Sequence, residues 1–217
     1  MAALMNLFKI AHHITELPVS NKNALIIEKE WLAVNMNRED AILLVREYVK
    51  KDNNIKHMVA VGAVMRATAA RLGEDQEKWE LVGILHDIDF EKCRGLEDHT
   101  LVARDLLQGV CDQELVQAIM AHNYENTGVA LDTPMKKSLV ASDAVSGLVV
   151  ATALVMPSKK LCDVRPESLI KKYKTKDFAK GADRARIAAC ETIGVGMEEF
   201  LALALEGMKK VSVELGL

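Results

Sequence analysis

The sequence predicts an all-α protein, a bundle of helices, on three observations. Half of the 217 residues are apolar but only 4% are aromatic, and the apolar set is Ala, Leu, Val, Ile and Met rather than the β-branched and aromatic mixture of strands. Apolar positions recur at helical spacing along most of the chain, and no run alternates with the period of two that marks a strand. Gly and Pro stand between the periodic segments, where they open or end helices, and there is neither an internal repeat nor a low-complexity tract. A chain of this length can bury a full core, and one core domain with an appendage accounts for it.

The elements follow in order. Residues 1–36 stand apart as an N-terminal arm: an apolar patch, a Pro18-Val19-Ser20-Asn21 turn and the mixed run NKNALIIEKEWLAVN. The helical domain is expected over 37–217. Asn37 is placed to cap a first helix, with acidic residues in the first turn and Ala41, Leu44, Val45 and Tyr48 on its apolar face. After Asp52-Asn53-Asn54, a second helix runs from about Ile55 to Leu72 and stops at Gly73, a residue type that turns left-handed past a helix end without steric cost. A third runs from about Glu74 to His86. A polar loop, 89–98, leads to short helices near 99–108 and 112–122, parted by Gly109. The turn-rich ENTGVALDT delivers the chain to Thr133 as N-cap and Pro134 as first residue of a long apolar helix, which Pro157 closes. Pro166 opens the next helix, and 183–193 and 196–215 are helical by their leucine and alanine spacing.

Charge and cysteine usage exclude several functions. With 28 basic and 31 acidic residues the formal charge is −3, so no global positive field recruits nucleic acid. Cys93, Cys111, Cys162 and Cys190 lie far apart with no C-x-x-C pair, which fits free thiols in a reducing cytoplasm rather than a zinc knuckle or a thioredoxin-type motif. The N-terminal patch lacks the basic region and cleavage site of a signal peptide, so a cytoplasmic location is expected. From Ser138 to Ser158 the single charge is Asp143, and the stretch is long enough to test as a membrane span. Ser142, Ser146, Gly147, Thr152 and Pro157 dilute it, and a carboxylate at the bilayer centre costs about 2.5–3.5 kcal/mol. A buried helix, at the core or at a homo-oligomer interface, is expected instead, with no membrane partner.

That buried helix makes its carboxylate conspicuous, and a second carboxylate repeats the pattern. Asp87 follows the uncharged run LVGILH. A carboxylate in such surroundings must be neutralised by an Arg or Lys, by a raised pKa, or by a metal ion, and the adjacent His86, a neutral nitrogen ligand, points to metal. Asp143 has no Lys or Arg within a helical turn. His57 shares a helix face with Val61, Val64 and Thr68, so its imidazole faces inward, as a core histidine or as a ligand. His99 and His122 stand at the ends of short helices, as caps or as ligands. Together His57, His86, Asp87, His99, His122 and Asp143 have the distribution of a metal site assembled from facing helices of a bundle.

This set resembles the HD-domain superfamily of metal-dependent phosphohydrolases, whose pattern is H…HD…D on an all-α bundle. The matching residues are His57 in NNIKHMVAV, His86 and Asp87 in GILHDIDFE, and Asp143 in VASDAVSGL, and the likeness, to small stand-alone bacterial and archaeal members, covers about 37–217. The resemblance implies one metal on His57, His86, Asp87 and Asp143, and a second on His99 and His122 with Asp87 bridging. The ions would be one or two divalent transition metals, with Mn, Fe, Co, Ni and Zn all suited to mixed imidazole and carboxylate ligands. One departure stands beside the site: Asp89 replaces the glycine of many relatives, as general acid or base, as a residue orienting a ligand from behind, or as a turn cap.

The activity implied is hydrolysis of a nucleotide or other small phosphate ester through a metal-bound hydroxide. Asp87, Asp89 and Asp143 are the catalytic candidates, with Asp143 or Asp89 handling the proton. Lys159, Lys160 and Arg165 are the candidates for meeting the phosphate, with Lys92 and Arg94 on a second loop. Two other readings use the same ligands: a di-iron oxygenase, whose six-ligand arrangement in myo-inositol oxygenase this set resembles, and a non-catalytic regulatory protein that binds a metal or ligand.

Overall fold

A computed structural model describes residues 36–217; apart from Met36, the expected arm lies outside the described residues. α1 (Arg38–Tyr48) opens with a reciprocal cap. The Asn37 side chain accepts the Asp40 N–H at 3.0 Å and the Asp40 carboxylate accepts the Asn37 N–H at 3.3 Å, satisfying two of the donors that a helix start leaves stranded. α2 (Asp52–Leu72) starts earlier than expected and ends at Gly73, with φ +76°. α3 (Gln76–Leu85) is opened by the Asp75 carboxylate.

α4 (Leu101–Leu107) and α5 (Gln113–His122) are the two short helices, and α6 (Tyr124–Thr127) adds one helical turn in a segment expected to be irregular. α7 (Pro134–Leu154) is the long apolar helix, with Thr133 as its cap and Pro134 in its first turn. α8 (Pro166–Lys174) opens on its proline. The expected helix at 183–193 is one α-turn, α9 (Arg184–Ile187), continued by a 3-10 segment, Ala188–Ile193, and α10 (Met197–Lys210) and α11 (Ser212–Leu215) end the chain. No β-strand forms among the described residues.

α2 is the spine, packed along α3, α7 and α10. Met58, Val61 and Met65 on one face join Val45, Trp79, Leu85, Leu107 and Ile119 in one apolar lobe, while Val59, Ala60 and Val64 join Val145, Leu148, Phe200, Leu205 and Met208 in another. Each large apolar side chain so buried contributes about 1.5–3 kcal/mol. α2 and α3 meet backbone to backbone, since a Cβ on Gly83 would fall 2.6 Å from the Gly62 Cα and N. That contact brings the α2 histidine and the end of α3 together. α7 has the length and apolarity to cross a membrane, but 67% of its most apolar window is buried within the protein, so its apolar surface is used in packing α2, α5 and the C-terminal helices.

Candidate metal centre

Six polar side chains converge where the two lobes meet. His57, in the second turn of α2, sets its Nε2 3.1 Å from Asp143 Oδ1 on α7 and 3.8 Å from Asp87 Oδ2. His86 and Asp87 leave the end of α3, and the fully buried His86 places Nε2 3.4 Å from Asp87 Oδ2 and 3.9 Å from Asp143 Oδ1. His99 Nε2 and His122 Nε2 lie 3.3 and 3.6 Å from Asp87 Oδ1, and His122 Nδ1 lies 3.8 Å from Asp143 Oδ2. His99 sits in the turn before α4, not on a helix, and the next residue, Thr100, takes φ +67°, a conformation that a β-branched residue rarely adopts.

The hydrogen bonds behind the rings decide which nitrogen faces the centre. His86 Nδ1 is 2.8 Å from the Gly83 carbonyl, which only accepts, so Nδ1 carries the proton and donates it. His99 Nδ1 donates to Asp89 Oδ1 at 3.0 Å. Ser146 Oγ gives its own proton to the Asp143 carbonyl at 2.8 Å and so accepts from His57 Nδ1 at 3.2 Å. In the neutral rings, all three Nε2 lone pairs therefore aim at carboxylate oxygens, acceptor against acceptor. A cation between them resolves this, and the donor set fits one. The same need shows in His86 Nε2, Asp87 Oδ1 and His122 Nδ1, which are buried without a hydrogen-bond partner.

Without a cation, protons take its place. Burial pushes the Asp87 carboxyl up, but His86, His99 and His122 outweigh this and hold it well below the usual carboxylate range. Among the described residues no Lys or Arg pairs with Asp87, and its pKa is not raised. What surrounds Asp87 is histidine, in groups of ligand atoms that could hold a metal ion. Burial likewise opposes ionisation of Asp143, and His57, His122 and His86 bring it down to about 2. His99, lowered by burial, is carried up to about 9 by Asp87 and Asp89, whereas burial holds His122 near 4.

Two groups of ligand atoms each lie within 4.8 Å of one another, His57–His86–Asp87 and Asp87–His99–His122. Asp87 belongs to both. A third group, Asp89–Cys93–His99, is a weaker cation site, because Asp89 and His99 are bonded to each other and burial with Asp89 alongside pushes the Cys93 thiol up to about 12.

Other expected residues fall elsewhere. Asp89 has no exposed surface; besides His99 it accepts the Thr100 N–H at 2.7 Å and the Ala103 N–H at 2.9 Å. It orients a ligand and caps α4 at once, which removes it from proton transfer. Lys159, Lys160 and Arg165 are exposed beyond the C-terminal end of α7, and the helix from Asp143 to Leu154 alone spans about 16 Å at 1.5 Å per residue. They do not meet the site. Lys92 stacks on Tyr48, and Arg94 is paired with Asp98 at 2.8 Å.

Among the described residues, Arg186 on α9, unremarked in the sequence, is a cation that borders the site. With His57, Asp143 and Asp183 it lines a cavity of about 490 Å³. It donates to the carbonyl of His122, lies 5.7 Å from the Tyr124 ring centroid and leaves its Nε without a partner. Ser146, which orients His57, was also missed; its place one turn after Asp143 was the available signal.

Residues 54–147 match the family described as HD domain, a span containing all six converging side chains but not Arg186. No curated protein and no solved structure matches the chain.

Proposed function

We propose that this chain, a protein of the HD-domain superfamily, is a metal-dependent phosphohydrolase acting on small phosphate esters, nucleotides among them. The observation that carries the reading is the opposed set of acceptors around Asp87 and Asp143, with two ligand groups sharing Asp87. Divalent ions would be held by His57, His86, Asp87 and Asp143 and by Asp87, His99 and His122. Such ions supply Lewis acidity, lowering the pKa of water and polarising a phosphoryl oxygen.

The remaining work belongs to side chains. His86 and His99 are held in one orientation by Gly83 and Asp89, so they bring no rotational freedom into the site. Asp143 stays ionised at neutral pH and borders the open cavity, so it is poised to help hold an ion on the side that faces substrate rather than to carry a proton. The Arg186 guanidinium, planar and permanently charged, suits an anionic ester at the same cavity.

The test is turnover of a phosphomonoester, phosphodiester and nucleotide panel by metal-reconstituted protein, with metal content measured in parallel. Hydrolysis that disappears in Asp87→Ala supports the reading. Full metal loading without turnover of any ester contradicts it, and stoichiometric iron with oxygen consumption would select the oxygenase instead.

A further inference from the structure

α7 carries a glycine in its interior, Gly147, where only proline is a poorer helix former. Packing does not call for it: a Cβ built there would meet no atom within 4 Å, and its φ is not left-handed. Gly147 is exposed and lies one turn beyond Asp143 on the same face. Two cavities meet at it. The first, of about 490 Å³, holds Asp143, Asp183 and Arg186; the second, of about 460 Å³, is lined by Ala60, Val150, Leu154, Leu215 and Leu217 together with Asn53, Ser146 and Lys56, whose ammonium is paired with Asp52; both include His57 and Gly147. Val150 and Leu154 follow Gly147 at helical spacing, so an apolar stripe leads away from the metal centre for about 10 Å.

We propose that Gly147 keeps open a substrate cleft across α7: the phosphoryl group lies by Asp143 and Arg186, and the leaving group, an apolar ring or chain, crosses Gly147 onto Val150, Leu154 and Leu215. The proposal rests on the phosphohydrolase reading and narrows its substrate to esters with an apolar body, as opposed to bare sugar or glycerol phosphates. Continuity with the metal centre assigns the groove to substrate. A side chain at 147 would stand between the two cavities, which gives a helix-weakening residue a purpose that packing does not.

The test compares wild type, Gly147→Ala and Gly147→Leu, each with metal content confirmed, on 1-naphthyl phosphate and glycerol phosphate. Wild type is expected to prefer the naphthyl ester in kcat/KM by about tenfold or more. Gly147→Leu removes that preference, while Gly147→Ala raises Tm by about 2–4 °C as the better helix former. Naphthyl phosphate binding is followed by fluorescence in the same proteins, so the cleft is tested apart from hydrolysis. Binding lost in Gly147→Leu, without turnover of either ester or of the diester and nucleotide panel by metal-loaded protein, sustains the cleft and refutes the phosphohydrolase reading. Turnover without preference, a preference that survives in Gly147→Leu, or no binding at all overturns the cleft.

Discussion

Replacing Asp89 by Asn tests how the second group of ligands is held. Asp89 has three partners, the His99 ring at 3.0 Å and the Thr100 and Ala103 N–H groups at 2.7 and 2.9 Å. An amide of the same shape cannot serve them all. If its oxygen stays with the backbone donors, its NH₂ faces His99 Nδ1, the ring proton moves to Nε2, and the atom 3.3 Å from Asp87 Oδ1 loses its lone pair. If the amide flips, two buried N–H groups go unpaired, at about 1–3 kcal/mol each. In either case charge-assisted hydrogen bonds worth about 1.5–3 kcal/mol are lost, or about 3–12 °C in Tm for a protein of this size. Affinity for the ion at His99 should drop about 10- to 100-fold. Chelator titration with elemental analysis reads the affinity, and scanning calorimetry the stability. An Asp89→Asn protein that resists chelator as wild type does would refute the orienting role.

Further outcomes follow from the same geometry. Gly83→Ala should lower Tm by about 2–12 °C, because its methyl meets the α2 backbone and overpacking of this kind costs about 1–3 kcal/mol; an unchanged Tm would remove the close contact from the account. Arg186→Gln should raise KM for phosphate esters about 10- to 100-fold, the worth of a hydrogen bond to a charged group, with metal content preserved, and an unaltered KM would exclude Arg186 from phosphate binding. His99 is raised from its ordinary value to about 9 in the metal-free protein. Its stabilisation is therefore complete below the unfolded value near 6.5 and lost as pH rises through about 9. Chelated protein should lose Tm across that window, and metal-loaded protein should not, because the ion replaces the proton; a flat profile for chelated protein would contradict this.

What was legible in the sequence was isolation. Asp143 is the single charge from Ser138 to the end of α7 and Asp87 follows an uncharged run at the end of α3, a signal contained in a few neighbouring residues, and those two plus four histidines meet in the structure. Helix ends were legible for the same local reason, at Asn37, Gly73, Thr133 and Pro166. Arg186 was not, because its role depends on where α9 packs against α7 and the end of α5, which no nearby residue encodes. Lys159, Lys160 and Arg165 misled because adjacency to the Asp143 helix says nothing about which of its ends faces the site. Asp89 was legible as important but not in kind, since choosing among proton transfer, orientation and capping requires the positions of His99, Thr100 and Ala103.

The proposed site has Asp87 shared between two ions. Elemental analysis of wild type and Asp87→Ala, purified side by side and loaded with the same transition metal, tests it most directly. Two equivalents per chain are expected in wild type and the loss of both in the variant, because Asp87 belongs to both ligand groups. A folded Asp87→Ala protein that retains the wild-type content, or a wild type that takes up none, would contradict it.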